Sequence, residues 1–449
     1  MQAFLQALAN NPHWYGLALL LSAAGVIALA RPSITALYDP WAFQQIQTVF
    51  ASAAVIFMWM EGIIAPSLML YHVAALAGFL IFAGLMFRQT IRRCRVAHQV
   101  HPRSLNSLRG VVLALFVVSQ LSAWFIAGIP LFLESRLDAF SGGGGIGILS
   151  RIVSFTSFAA IFLTVLRVGI SDRKRLTFTD GIVLAFTILA SVANASKTNI
   201  VLTLVIILMS HWIFQRLVQN YVAPRVSHKK LIGLAFVLVA LLLIPVAVEM
   251  TRNSSVSAAD PLEAIFIRLI FSGDGYMWMY GDDYLSRVTV DSPTALLFAD
   301  FLGVTRLMSW DQLPVHPGLQ IYQVLFPESD SIRGPNLRVD TFGLLYGSMA
   351  FGVVFATVLG GVFGWLRGWL FKARSALAFL PAAYIFFQAP AFLVDPLLGV
   401  TALVNTAFSV AIVAFAVALV GRDPFGAGRP SRLHRLRSLT PAPAAPTSP

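Results

Sequence analysis

The chain has almost no cysteine. Cys94 stands alone among 449 residues, so no intrachain disulfide can form and no cysteine-based metal cluster can be built. Charge is scarce as well: Asp, Glu, Lys and Arg make up 12% of the chain, about half of what a soluble domain carries. The eight histidines show no H-x-x-x-H spacing, and no metal or other cofactor is expected. Lysine and arginine are missing from the arm before Trp14, and no small-residue cleavage site follows a short apolar core. A cleavable signal peptide is therefore not expected. Nor is there a strong apolar–polar alternation in ten-residue segments, which argues against a membrane β-barrel.

Apolar sequence in long runs takes the place of all this. Hydrophobic residues are 57% of the chain, and the mean hydropathy is +0.77. The runs approach twenty residues, the length a helix needs to cross a bilayer. They fall at 15–30, 47–62, 65–87, 110–133, 151–170, 181–196, 199–217, 231–250, 341–366, 376–394 and 399–420. This predicts an all-α, polytopic membrane helix bundle of about eleven transmembrane helices. Residues 1–250 would hold the first eight spans, 251–340 one large periplasmic loop, and 341–420 the last three. Residues 421–449 form a basic, then Pro/Ala-rich, cytoplasmic tail.

A net charge of +12 would suggest nucleic acid in a soluble protein. Here its placement is topogenic, and no nucleic-acid partner is expected. Alternate loops, from Arg31 through Arg88–Arg109, Arg167–Arg175, Arg216–Lys230 and Arg367–Arg374 to Arg422–Arg437, carry about 23 of the 32 Lys and Arg. Roughly 16 of the 20 acids fall on the other side. The expected topology puts the N-terminus in the periplasm and the C-terminus in the cytoplasm of a bacterial inner membrane.

The loop at 251–340 is too long for a mere connector. Asp260-Pro261-Leu262-Glu263 reads as a helix start, and the helix runs to Phe271 before a Ser272-Gly273 stop. Apart from Glu263 and Arg268 it is apolar all round, so it is expected to be interfacial or re-entrant against the bundle. The glycine run at Ser141–Gly147 reads as a flexible tether, since no Lys-Ser/Thr follows it.

Bond-making outside the cytoplasm needs an activated donor that arrives in the membrane, such as a polyprenyl-diphosphate-linked sugar. Fixed positive charge at the membrane surface is the matching protein tool, and arginine supplies it best. The loop offers Arg252, Arg268, Arg287, Arg306, Arg333 and Arg338, and Lys197 adds a cation at the tip of the hairpin Asn194-Ala-Ser-Lys-Thr-Asn199. Lys197 reads either as a headgroup-level ligand or as a snorkelling lysine. Arg333 and Arg338 would join the N-terminus of the ninth span in an anion site, or else pair with Asp330 and Asp340 and only fix the loop. Candidates to orient or deprotonate an acceptor hydroxyl are Asp274, Asp282, Asp283, Asp291 and His316. Asp282 and Asp283 read better as a solvated loop, and His316, between Pro314 and Pro317, as either a base or a satisfied loop residue. Glu249 and His72 are costly in lipid, and each reads either as a relay residue or, more commonly, as a side chain packed toward the bundle interior. Gly343 and Gly347, then Gly360, Gly364 and Gly368, favour close helix packing.

With these residues in view, the chain resembles the Wzy-like polymerases of O-antigen and capsule repeat units. The resemblance is topological over most of the length. It is sharpest at Asn194-Ala-Ser-Lys-Thr-Asn-Ile-Val-Leu-Thr-Leu and at Asp340-Thr-Phe-Gly343-Leu-Leu-Tyr-Gly347. The chain departs from that family in having Lys197 where arginine is frequent, and from the related ligases in the Pro317 that follows His316. The resemblance implies transfer of a growing glycan from undecaprenyl diphosphate to the next lipid-linked repeat unit. Lys197, Arg252, Arg268, Arg333 and Arg338 would hold diphosphate, and Asp274 or His316 would assist the acceptor. Flippase and chain-length regulator partners are implied in the same way. An O-antigen ligase or other lipid-dependent glycosyltransferase, a transporter of lipid-linked sugar, and a non-catalytic scaffold stay open as rival readings.

Overall fold

Pro12, Pro40, Pro66, Pro102, Pro293, Pro317 and Pro396 each open a helix. The first helical position has no hydrogen bond for a proline to lose, and its fixed φ already suits the turn. Side-chain caps reinforce the pattern: Asp39 accepts from the Trp41 N–H at 2.9 Å, and Thr177 with Asp180 forms a capping box. The computed structural model of the chain describes residues 1–92, 100–133, 146–171, 175–194, 196–223, 233, 267–328, 334–373 and 376–419.

Among the described residues the fold is helical throughout. The N-terminal part comprises α1 (Gln2–Asn10), α2 (Pro12–Ala30), α3 (Pro40–Met60), α4 (Pro66–Ile91), α5 (Pro102–Ala127), α6 (Ile146–Ile170), α7 (Phe178–Ala193) and α8 (Lys197–Leu217). Beyond 267 come α9 (Pro293–Leu297), α10 (Ala299–Val304), α11 (Pro317–Leu325), α12 (Val339–Leu345), α13 (Met349–Gly368), α14 (Ala376–Gln388), α15 (Ala391–Val394) and α16 (Pro396–Leu419). Eight of the described helices are long and apolar enough to cross a membrane. The expected segment 181–196 is the shorter α7, and 376–394 is divided between α14 and α15. The expected span at 231–250 lies outside the described residues, as do Glu249 and nearly all of the glycine run. Large apolar side chains such as Phe125, 92% exposed, and Leu20, 70% exposed, face outward as lipid-facing positions would.

One boundary is corrected. The ninth apolar segment does not run unbroken from 341, because α12 ends at Leu345 and Ser348 caps a separate helix, α13. Its hydroxyl accepts from the Phe351 N–H at 3.2 Å.

α13 runs parallel to α4 along its length. A Cβ on Gly360 or Gly364 would collide with the Phe79 and Ala83 carbonyl oxygens of α4, so the expected close packing is realised there. Gly364→Val is expected to destabilise the bundle by about 1–3 kcal/mol, read as a lower melting temperature in detergent.

Several basic residues that fit the orientation pattern also hold the bundle together. Arg367 is fully buried, 2.7 Å from both carboxylate oxygens of Asp39 and 4.2 Å from the Phe386 ring. Arg109 and Arg167 each lie 2.7 Å from the carboxylate of Asp180. These three arginines lie within helices, and their ion pairs serve packing.

Candidate functional site

The helical stretch that includes Arg268 does not stop at Ser272-Gly273. It tightens into the turn Phe271–Gly273, continues through Asp274–Tyr276 and widens into a π-helical turn at Met277–Gly281. Extra or missing residues in a helical ladder re-aim side chains, which is why such turns gather at functional sites. Tyr276, Met277, Met279 and Tyr280 are buried in one core with Ala51, Ala54, Phe57 and Met58 of α3. The segment runs beside α3 toward its Met60 end: Ser272 Oγ donates to the Gln47 carbonyl at 3.0 Å, about 20 Å along the helix from Met60, and Gly281 packs against Met58. Gly273 makes that approach possible, because a Cβ there would stand 3.1 Å from Ala54 Cβ and 3.2 Å from Ala51 Cα. Most of the expected helix, residues 260–266, lies outside the described residues.

The chain returns to the same depth at 337–345. Arg338 is 5% exposed, and its guanidinium donates to Thr48 Oγ1 at 3.4 Å and to the Gln47 and Ser272 carbonyls at 3.3 Å each. Among the described residues no carboxylate lies within ion-pair distance of it. The alternative that Arg338 is neutralised by Asp340 is therefore corrected. Asp340 is engaged elsewhere, and Asp330 lies outside the described residues. Nor does the N-terminus of the long span complete the site, since Arg338 precedes the seven-residue α12 and not α13.

Asp340 is the hub of a second buried cluster. His72 Nδ1 lies 2.7 Å from Asp340 Oδ2, the Tyr276 hydroxyl donates to Oδ1 at 2.7 Å, and the Tyr280 hydroxyl reaches Oδ2 at 3.4 Å. Tyr71 donates to the Asp340 carbonyl at 2.5 Å. On its far side His72 Nε2 is 3.1 Å from Ser52 Oγ. The chain Ser52–His72–Asp340 has the atom order of a serine nucleophile relay. All three are buried, however, with Ser52 3% exposed, so in this conformation it clamps α3, α4 and α12 together inside the bundle. The sequence placed His72 in the interior but gave it no partner.

Asp274 lies between the two arginines in electrostatic terms. Burial raises its carboxyl to about 6, opposed by the Gly275 N–H, by Arg268 and by Arg338. Gly275 N–H donates to Asp274 Oδ1 at 2.8 Å. Arg268 is exposed. Arg338, Asp274 and Arg268 are thus the expected site residues that the fold brings together.

The remaining expectations fall elsewhere. His316 caps α11: its Nδ1 accepts from the Gly318 N–H at 3.0 Å, and its Nε2 lies 3.0 Å from Asp395 Oδ2. Both ring nitrogens are engaged, and among the described residues no contact joins His316 to Asp274, Arg268 or Arg338. Asp283 adopts a left-handed turn with Ser286 folded back on it. Lys197 stands at the first position of α8, capped by Ser196. Arg252 and Arg333 lie outside the described residues. Among those residues no group of three or more His, Cys, Asp or Glu is placed to hold a metal ion.

In comparisons with family models, curated proteins and solved structures, nothing matches this chain.

Proposed function

We propose that this chain is a membrane glycosyltransferase that polymerises polyprenyl-diphosphate-linked oligosaccharide repeat units. In this reading it has eleven spans, and residues 251–340 lie on the periplasmic face of a bacterial inner membrane. The observation that carries the proposal is Arg338, a buried guanidinium with no carboxylate partner among the described residues, on the seam between the segment at Ser272 and α3. A buried cation is costly unless something neutralises it, and a lipid diphosphate entering from the side would do so.

The chemistry follows from the neighbours. The acceptor hydroxyl oxygen attacks the anomeric carbon of the donor. The bond from that carbon to the diphosphate oxygen breaks, and the diphosphate leaves with the electron pair. Asp274 takes the hydroxyl proton, and Arg338 and Arg268 balance the charge that gathers on the leaving group. Lys197, Arg252 and Arg333 belong to the same diphosphate-binding set. With both nitrogens of His316 engaged, Asp274 is the base. Its carboxyl must be ionised to act, so elongation is expected to rise with pH through about 6. Asp274→Asn should remove the rise along with most of the rate, measured as initial elongation against pH.

The deciding experiment gives the purified protein lipid-linked repeat units with no other enzyme. A polymerase lengthens the glycans into a ladder, a ligase waits for a lipid A acceptor, and a transporter only relocates substrate. Absence of a ladder under these conditions rejects the proposal. The buried His72–Asp340 pair favours the transporter as the second reading, because ionisable groups inside a bundle often mark proton paths.

A further inference from the structure

α5 and α7 end, and α6 and α8 begin, on one side of the bundle, where Arg151 of α6 meets Asp300 of α10. Between these helix ends and α16 lies a cavity of about 300 Å³, at the small end of the range for small-molecule sites. Its wall has an unusual chemistry for the inside of an apolar bundle. Gln120, Ser154, Asn194, Asn199 and Asn405 line it, with the ring of Phe116 on one side.

The charge in that wall is already spent. Arg151 donates to Asp300 Oδ2 at 2.7 Å, and also to Asp300 Oδ1 and to Asn405. What remains is a set of neutral amides and hydroxyls. Gln120 and Asn194 hold each other's orientation, with the Asn194 amide donating to Gln120 Oε1 at 3.1 Å and Gln120 returning a bond at 3.3 Å. Trp124 fixes the same Asn194 oxygen at 2.9 Å. Among the described residues the side-chain amide of Asn199 makes no hydrogen bond. An anion would call for an uncommitted cation, and a lipid tail would leave these amides unsatisfied. A ring of vicinal hydroxyls suits them, since each hydroxyl both donates and accepts, and its C–H face can rest on an aromatic ring.

We infer that this cavity is a sugar subsite that takes one neutral pyranose of the glycan. The inference rests on the reading that this chain handles lipid-linked glycans, and it adds where the sugar is held apart from the diphosphate. Asp300 ties the cavity wall to α10 through Arg151.

The test is saturation-transfer NMR on the detergent-purified full chain with methyl glycopyranosides of glucose, galactose, mannose and N-acetylglucosamine. At least one should bind, with Gln120→Leu and Asn199→Leu each weakening it about tenfold. Asn199 supports no other described side chain, so Asn199→Leu keeps the test available if Gln120→Leu does not fold. Transfer to none of the four sugars, or transfer unchanged in both leucine variants, overturns the subsite. Because this readout needs no turnover, a polymerase with no sugar in the cavity and a sugar-binding protein that elongates nothing give opposite results.

Discussion

Arg338→Ala is expected to lower glycan elongation by about two to three orders of magnitude, the usual cost of removing a fixed donor aimed at developing charge. The protein should still fold. The partners that Arg338 leaves behind are a hydroxyl and two backbone carbonyls, and Ser272 Oγ still donates to one of these, Gln47 O. Arg338→Lys should restore only a small part of the rate, because an ammonium cannot span Thr48, Gln47 and Ser272 and still present a fork to phosphate. Asp274 gives an independent readout. Arg338 is one of the groups that hold its carboxyl down towards about 6, so removing the guanidinium moves that carboxyl higher. The residual activity of Arg338→Ala should therefore rise at more alkaline pH than the wild type. A full-length ladder on a gel, with an unmoved pH limb, would reject an anion site at Arg338.

Helices were the easy part of the sequence, because apolar runs near twenty residues and prolines at helix starts are local signals. Segments of marginal length were harder. α7 and α14 look like spans by composition, yet they come out shorter than the others because Thr177 and Asp180 set where α7 begins and Pro390 follows the end of α14. The break between α12 and α13 was hidden for a similar reason: Tyr346-Gly347-Ser348 adds little polarity to an apolar stretch, while its turn redirects the chain. At the site, arginines and acids could be counted but not paired. Arg338 and Asp340 are two residues apart, which made an ion pair between them reasonable. The extended backbone at Arg338 instead sends the guanidinium to α3, while Asp340 faces His72 of α4, 268 positions away in sequence. That contact left one usable trace, a histidine inside an otherwise apolar span. A buried polar group needs a partner, and the partner had to come from elsewhere in the chain.

Asp340→Ala should produce the largest loss of stability, about 3–5 kcal/mol, the cost of taking one member out of a buried polar or ionic cluster. His72, Tyr276 and Tyr280 would lose their common acceptor at about 9 Å from the start of α4, where water is not at hand to replace it. Asp340→Asn should behave differently. Its carbonyl oxygen can still accept from Tyr276, and its amide can donate to His72 Nδ1 if the ring moves its proton to Nε2. Ser52 Oγ, 3.1 Å away, can accept that proton. The histidine thus has a second tautomer in which every atom keeps a partner, and the asparagine variant should retain most of its folded yield. Thermal unfolding in detergent, followed by size-exclusion profile, separates the two. A His72→Ala, Asp340→Ala double variant should lose much less than the sum of the single losses, with a coupling of about 0.5–3 kcal/mol. If alanine and asparagine at 340 melt together, the carboxylate is not the hub of the cluster.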